Sequence, residues 1–279
     1  SKYFSGVVAF DNKKNSEALS FFNSSKILIN EHDPYLQRYI YSLVLDNKVS
    51  SAISILKKNE DKKNIKFFNA DLLLIVDSLK KNDFDRSQDL IKKIINSYKN
   101  DRLNTAILET LNQYIYLFKE NKILENNKNF GKLSIISEIF QRCYLDDEVT
   151  DKYFYNLIND PRNDYSRYTY FYLSYLIESK KIDKAKKIVK NIEFINTTLL
   201  LSQGKSWIEN GNEEKFVEVF SCKNHNDIIG EFFFLISNLY SSQDDFEKSN
   251  FYLNLSNYLN PKFIFNLSLV AENQYFNKE

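Results

Sequence analysis

The sequence predicts an all-α chain built from antiparallel helix pairs. Three observations carry that expectation: a shortage of glycine and proline, apolar residues spaced three and four apart, and a small–large residue pair that recurs along the chain. Of 279 residues only 5 are Gly and 3 are Pro, against roughly 7% and 5% in average usage. Positive-φ turns lean on Gly and many loops on Pro. A many-stranded sandwich or barrel, or a Gly-rich nucleotide fold, is therefore disfavoured, and long helices joined by short polar turns remain.

The recurring pair is a small residue followed four positions later by a large apolar one. Ala18-x3-Phe22, Ala52-x3-Leu56 and Ser87-x3-Ile91 open the series, and Ala185-x3-Val189 and Ser249-x3-Leu253 continue it. Phe216-x3-Phe220 fits the slot with a large residue first, and Thr150-x3-Phe154 is a weaker match. Successive first members lie 34, 35, 63, 35, 31 and 33 apart, so the gap of 63 holds one unit that has lost its marker. Nine residues before each slot other than Thr150 stand Ala9, Leu43, Ser78, Leu176, Trp207 and Tyr240, each ending an apolar stretch. A polar turn follows, such as Lys81-Asn82-Asp83-Phe84. Ile182, Ala185, Ile188, Val189 and Ile192 form one stripe of an amphipathic helix. Each unit therefore reads as helix, turn, helix.

In chain order the units span 1–31, 32–63, 66–100, 101–128, 129–163, 164–195, 196–227 and 228–262, with a lone helix over 263–279. The 101–128 unit is degenerate. Its first helix is clear through Ile107, Leu111, Ile115 and Phe118, but the Asn-rich stretch 125–131 is poor helix material, so a shortened or distorted second helix is expected. Phe216 in a small slot predicts a wider or shifted pair. The last helix is either a cap or the opening of a ninth unit. With no Met in the chain, a segment cut from a longer array is the expectation. Pro34, Pro161 and Pro261 fall between units, where a missing N–H costs little.

The last full unit reads Ile236-Ser237-x2-Tyr240, then Ser249-x3-Leu253, then Ser256 and Pro261. It resembles the tetratricopeptide repeat, a 34-residue helical pair with a W-x2-L-G-x2-Y…A-x3-F…P pattern. Ser5-Gly6-x2-Ala9 in the first unit and Gly204-x2-Trp207 in the seventh match the same slots. The likeness covers nearly all the chain, and its opening and the 38–45 helix also resemble a group of large tetratricopeptide proteins of alphaproteobacteria.

The resemblance implies a right-handed solenoid of antiparallel helix pairs, a tetratricopeptide-like superhelix in which only neighbours touch. Such a particle exceeds the ~19 Å radius of gyration of a compact chain this long. The resemblance also implies that first helices line a concave groove through Tyr3 and Val7, Gln37 and Tyr41, Leu72 and Val76, Tyr170 and Ser174, Leu201 and Lys205, and Phe234 and Asn238. The Lys-x3-Asn and Lys-x3-Arg carboxylate clamp of chaperone-binding members is missing from these positions. An apolar or aromatic peptide or partner segment is the ligand expected instead.

Other features narrow the function classes. Net charge is +1 from 38 basic and 37 acidic residues, without the basic excess of a nucleic-acid binder. No apolar run approaches the ~20 residues of a membrane span. Asn (34) and Lys (32 against 6 Arg) are over-used, as an AT-rich coding bias would produce. Cys143 and Cys222 are too few for a disulfide framework, and Cys143 is expected as a small core residue. Cys222-x2-His225 lacks the second ligand pair of a zinc site.

His32 and His225 are expected in exposed loops. Lys180, Lys181, Lys184, Lys186, Lys187 and Lys190 are expected on a solvated face, and Tyr165, Tyr168, Tyr170, Tyr172 and Tyr175 mostly in the core. No catalytic, cofactor-binding or metal-ligating set is expected. The resulting expectation is a non-enzymatic protein-binding scaffold. The alternative is a recruitment segment of a larger protein whose catalytic part lies outside this chain.

Overall fold

The computed structural model describes residues 2–59, 66–125, 128–161, 166–192 and 198–276, and among them every regular element is helical. Tight turns join α1 (Lys2–Asp11) to α2 (Asn15–Asn23), α3 (Asp33–Leu45) to α4 (Val49–Lys58), and α5 (Phe68–Lys80) to α6 (Phe84–Ile94). The long helix α7 (Arg102–Glu120) stands alone. Then come α8 (Lys132–Leu145) with α9 (Thr150–Ile158), α10 (Ser166–Glu178) with α11 (Ile182–Lys190), and α12 (Leu199–Glu209) with α13 (Glu214–Val219). The last pair is α14 (His225–Ser241) and α15 (Phe246–Leu259), on which α16 (Leu267–Phe276) packs.

The turns share one geometry. Lys13, Asn47, Asn82, Asp146, Lys180, Gly211 and Asp244 each hold a left-handed backbone at the end of a pair's first helix. In each turn the next N–H bonds back to the carbonyl five residues earlier. Lys14 reaches Ala9 at 2.9 Å, Lys48 Leu43 at 2.8 Å, Asp83 Ser78 at 2.9 Å and Lys181 Leu176 at 2.7 Å. Asn212 reaches Trp207 at 2.8 Å, and Asp245 reaches Tyr240 at 3.0 Å. This is the Schellman closure of a helix C-terminus. Its acceptors are the residues nine before each slot, so that regularity is the imprint of the turn. After α7 the left-handed Asn121 carries only its own bond to Leu117, at 2.9 Å. The described residues of 121–131 then form no helix.

The small–large slots form the seams between helices. Ala18, Ala52, Ser87, Thr150, Ala185, Phe216 and Ser249 are all fully buried, and their large partners are at most 2% exposed. A Cβ on Gly6 would lie 2.8 Å from the Phe22 ring, so α1 and α2 meet at hydrogen-only clearance. At the Phe216 slot, Gly204 on α12 supplies the missing room. The six-residue α13 packs chiefly on α10. The pair is shifted, with a large residue opposite a small one.

Contacts are not confined to neighbours, and in this the molecule departs from the expected array. The last pair folds back onto the first ones. Tyr41 on α3 stacks on Phe251 of α15 at 5.0 Å, Asn254 donates to the Val44 carbonyl at 2.8 Å, and Lys13 pairs with Glu247 at 2.9 Å. Lys80 donates to the Tyr258 carbonyl and lies 3.6 Å over that ring. The apolar sides of α14 and α15 thus fill space that an open array leaves to solvent.

Three further expectations are corrected. Cys143 is buried as expected but forms a disulfide with Cys222, tying α8 to the loop before α14 across 79 residues of sequence. His225 opens α14 rather than an exposed loop. It is wedged edge-on against Phe84 at 5.3 Å and Phe118 at 5.7 Å, with Nε2 3.1 Å from the Leu79 carbonyl. Burial holds its pKa below the ordinary histidine value. His32 is half-buried, 3.1 Å from the Tyr3 hydroxyl. The six lysines of 180–190 are exposed, opposite buried Ala185 and Val189. Tyr168, Tyr170, Tyr172 and Tyr175 are buried. Tyr165 lies outside the described residues.

Candidate functional site

The first-helix row falls into three parts. Its middle lies in the core. Leu72, Val76 and Tyr170 are fully buried, and Ser174, Leu201 and Lys205 are 1%, 4% and 7% exposed. Tyr170 is covered by Phe216, stacked at 5.0 Å, and by Phe263 and Phe265 from the segment after α15. Ser174 donates to the Phe220 carbonyl at 3.3 Å, and Lys205 donates to the Ile192 carbonyl at 2.5 Å. Tyr3 is also buried, its hydroxyl between His32 and the Arg38 guanidinium, each at 3.1 Å. These side chains hold neighbouring helices together.

At one end of the row Gln37 and Tyr41, one turn apart on α3, open into a depression of about 440 Å³. Gln37 is exposed and Tyr41 half-buried. Phe10, Phe67 and Phe68 supply apolar walls, and Arg38 and Asn69 lie at the edge. Two ion pairs bound it: Lys13 with Glu247 at 2.9 Å and Lys248 with Asp245 at 2.6 Å. Burial, with Glu247 and Asp245 adding to it, pushes the Tyr41 hydroxyl far above its ordinary pKa. Tyr41 therefore stays neutral and offers a donor. Among the described residues Arg38 forms no ion pair, which leaves one cation beside an aromatic surface.

At the other end Phe234 and Asn238 on α14 face a larger opening of about 600 Å³, shared with Arg167, Tyr168, Leu200 and Phe265. Asn238 is exposed, whereas Phe234 is 9% exposed beneath the Arg167 guanidinium, 3.4 Å from its ring centre. That guanidinium makes three hydrogen bonds, through Nε and Nη2. Its Nε donates to Glu231 Oε1 at 2.8 Å, and Nη2 donates to Glu231 Oε2 at 2.5 Å and Asn266 Oδ1 at 2.8 Å. Burial pushes the Glu231 carboxyl above its ordinary pKa, while Arg167 opposes that shift. The pair ties α10 to α14, and removing one member of such a buried pair costs several kcal/mol.

The residue motifs did not point to Arg167 and Glu231, although a signal exists. The scarcity of Arg, 6 against 32 Lys, draws attention to positions that could use a planar two-pronged donor, a use made of it at Arg142 and Arg167. Among the described residues no three of His, Cys, Asp and Glu gather as a metal site. No helix among them is long and apolar enough to cross a membrane. The chain matches no family model, no curated protein and no solved structure.

Proposed function

We infer that the chain is a tetratricopeptide-type array, a right-handed solenoid drawn closed by its last pair, that acts as a non-enzymatic scaffold for a protein partner. The observation that carries this reading is the aromatic depression around Gln37 and Tyr41. The rings of Phe10, Tyr41 and Phe68 sit on helices and Phe67 immediately precedes one, its bounding charges are already paired, and Arg38 stands ready for a carboxylate or carbonyl. Such a surface suits a short partner segment presenting apolar or aromatic side chains, since aromatic anchors in desolvated pockets carry most binding energy. The repeated Schellman turns and buried small–large seams support the repeat assignment.

The test uses peptides selected by display on the purified chain. Gln37→Ala with Phe67→Ser should weaken the selected peptides at least tenfold, about 1.4 kcal/mol, with unchanged circular dichroism. Full affinity in that variant would mean the depression is not the site. Tyr170→Ala is a poor probe, because this ring is core.

A further inference from the structure

A separate cavity of about 410 Å³ lies at the seam where α15 and α16 meet α1, α2 and the end of α3. It shares Phe10 and the Lys13–Glu247 ion pair with the depression described above, and its chemistry is different. Seven of its fifteen lining residues carry carboxamides. Asn and Gln make up 41 of the 279 residues, so composition alone would place about two among fifteen. The remaining walls are six apolar side chains, among them Phe10, Leu253 and Val270, and the one ion pair.

Several of these carboxamides have capacity to spare. The side-chain carboxamides of Asn257, Asn47 and Gln274 make no hydrogen bond to another described residue. Asn15 donates to the Ser42 carbonyl at 3.1 Å, while its Oδ1 is buried without a partner. Asn254 spends its amide N–H groups on the Val44 and Leu45 carbonyls and keeps its oxygen. Asn47 and Gln274 are exposed and Asn257 is half-buried, so the Asn15 Oδ1 is the buried atom here whose missing partner costs free energy that a bound ligand recovers.

A carboxamide presents a donor and an acceptor side by side, and a hydroxyl is likewise both at once. Neighbouring hydroxyls on a ring match that pattern, and the C–H face of the same ring matches the apolar walls. An anionic ligand is disfavoured, because Lys13 is already paired with Glu247 at 2.9 Å. The volume is at the small end of the roughly 300–1,000 Å³ range of ligand pockets, which suits one or two sugar rings rather than a polymer. We propose that this cavity binds a neutral, polyhydroxylated small molecule of mono- or disaccharide size. This goes beyond the protein-binding reading and does not depend on it. The walls are about 200 residues apart in sequence, so such a ligand also fastens the last pair to the first two.

Calorimetric titration of the purified chain with glucose, maltose, trehalose and sucrose tests this. At least one sugar should bind saturably with Kd below ~10 mM, and Asn257→Leu should weaken it tenfold or more with unchanged circular dichroism. If Asn257→Leu does not fold, the exposed Gln274→Leu carries the same comparison, with at least a threefold loss expected. Binding of none of the four sugars below that limit, or affinity in the folded variants within threefold of the parent, overturns the proposal.

Discussion

Gly204 illustrates how little slack the seams hold. A methyl group there would lie 2.9 Å from Tyr170 Cδ2 and 3.1 Å from the Phe216 ring. Those two rings are stacked at 5.0 Å and fully buried, so neither has an empty direction to move in. Overpacking of this kind costs about 1–3 kcal/mol. Gly204→Ala should lower the unfolding free energy by that amount in urea, and a loss below ~0.5 kcal/mol would mean that the rings swing aside. At this scale the sequence was highly legible. The slot residues and Gly6 and Gly204 stand out because their spacing is local and each contact is to the next helix. Arg167 and Glu231 were not legible, because they meet across 64 residues with no motif to announce the pairing.

Among the elements, the helix hairpin is the unit that repeats, and its turn is written in main-chain hydrogen bonds. Asn, Asp and Lys hold the left-handed position where glycine is the usual occupant, so the shortage of glycine does not prevent tight turns. The single disulfide adds a link of another kind. Cys143 on α8 and Cys222 before α14 are joined across 79 residues, a loop for which the chain-entropy account gives about 4.5 kcal/mol. Adding reductant, or replacing both cysteines by Ser, should lower the unfolding free energy by about 2–4 kcal/mol. Equal denaturation midpoints with and without reductant would mean the bond is not formed in solution. Such bonds persist in oxidising compartments and are kept reduced in the cytosol. The bond was not legible beforehand, because two cysteines alone do not reveal that their backbones approach to 5.7 Å.

For the whole molecule, closure decides the shape. The accessible surface of 14384 Å² is within about 15% of the roughly 12,600 Å² expected of a compact monomer of this mass. Small-angle scattering should therefore give a radius of gyration of about 20 Å, close to the compact value. A value above ~24 Å would indicate that α14 and α15 leave their seat on α3 in solution. Closure is also why the expected groove survives only on α3 and α14. Gln37 and Asn238 stay open, whereas Tyr170 is covered by Phe263 and Phe265, whose stretch of sequence carries no repeat signature. Helix pairs follow from local periodicity. A contact such as Asn254 with Val44, 210 residues apart, leaves no periodic trace.

That separation has a bearing on how the chain is made. The surfaces of α3 to α5 that receive α15 leave the ribosome long before their cover does. At about 5–20 residues per second, Tyr41 waits on the order of 10–40 s for Phe251 to be synthesised. During that interval the early pairs can form their own seams, since those contacts are local, but their inward faces are bare. The protein is thus prone to sticking to other chains between the synthesis of α3 and that of α15, and the α14–α15 hairpin ends that exposure.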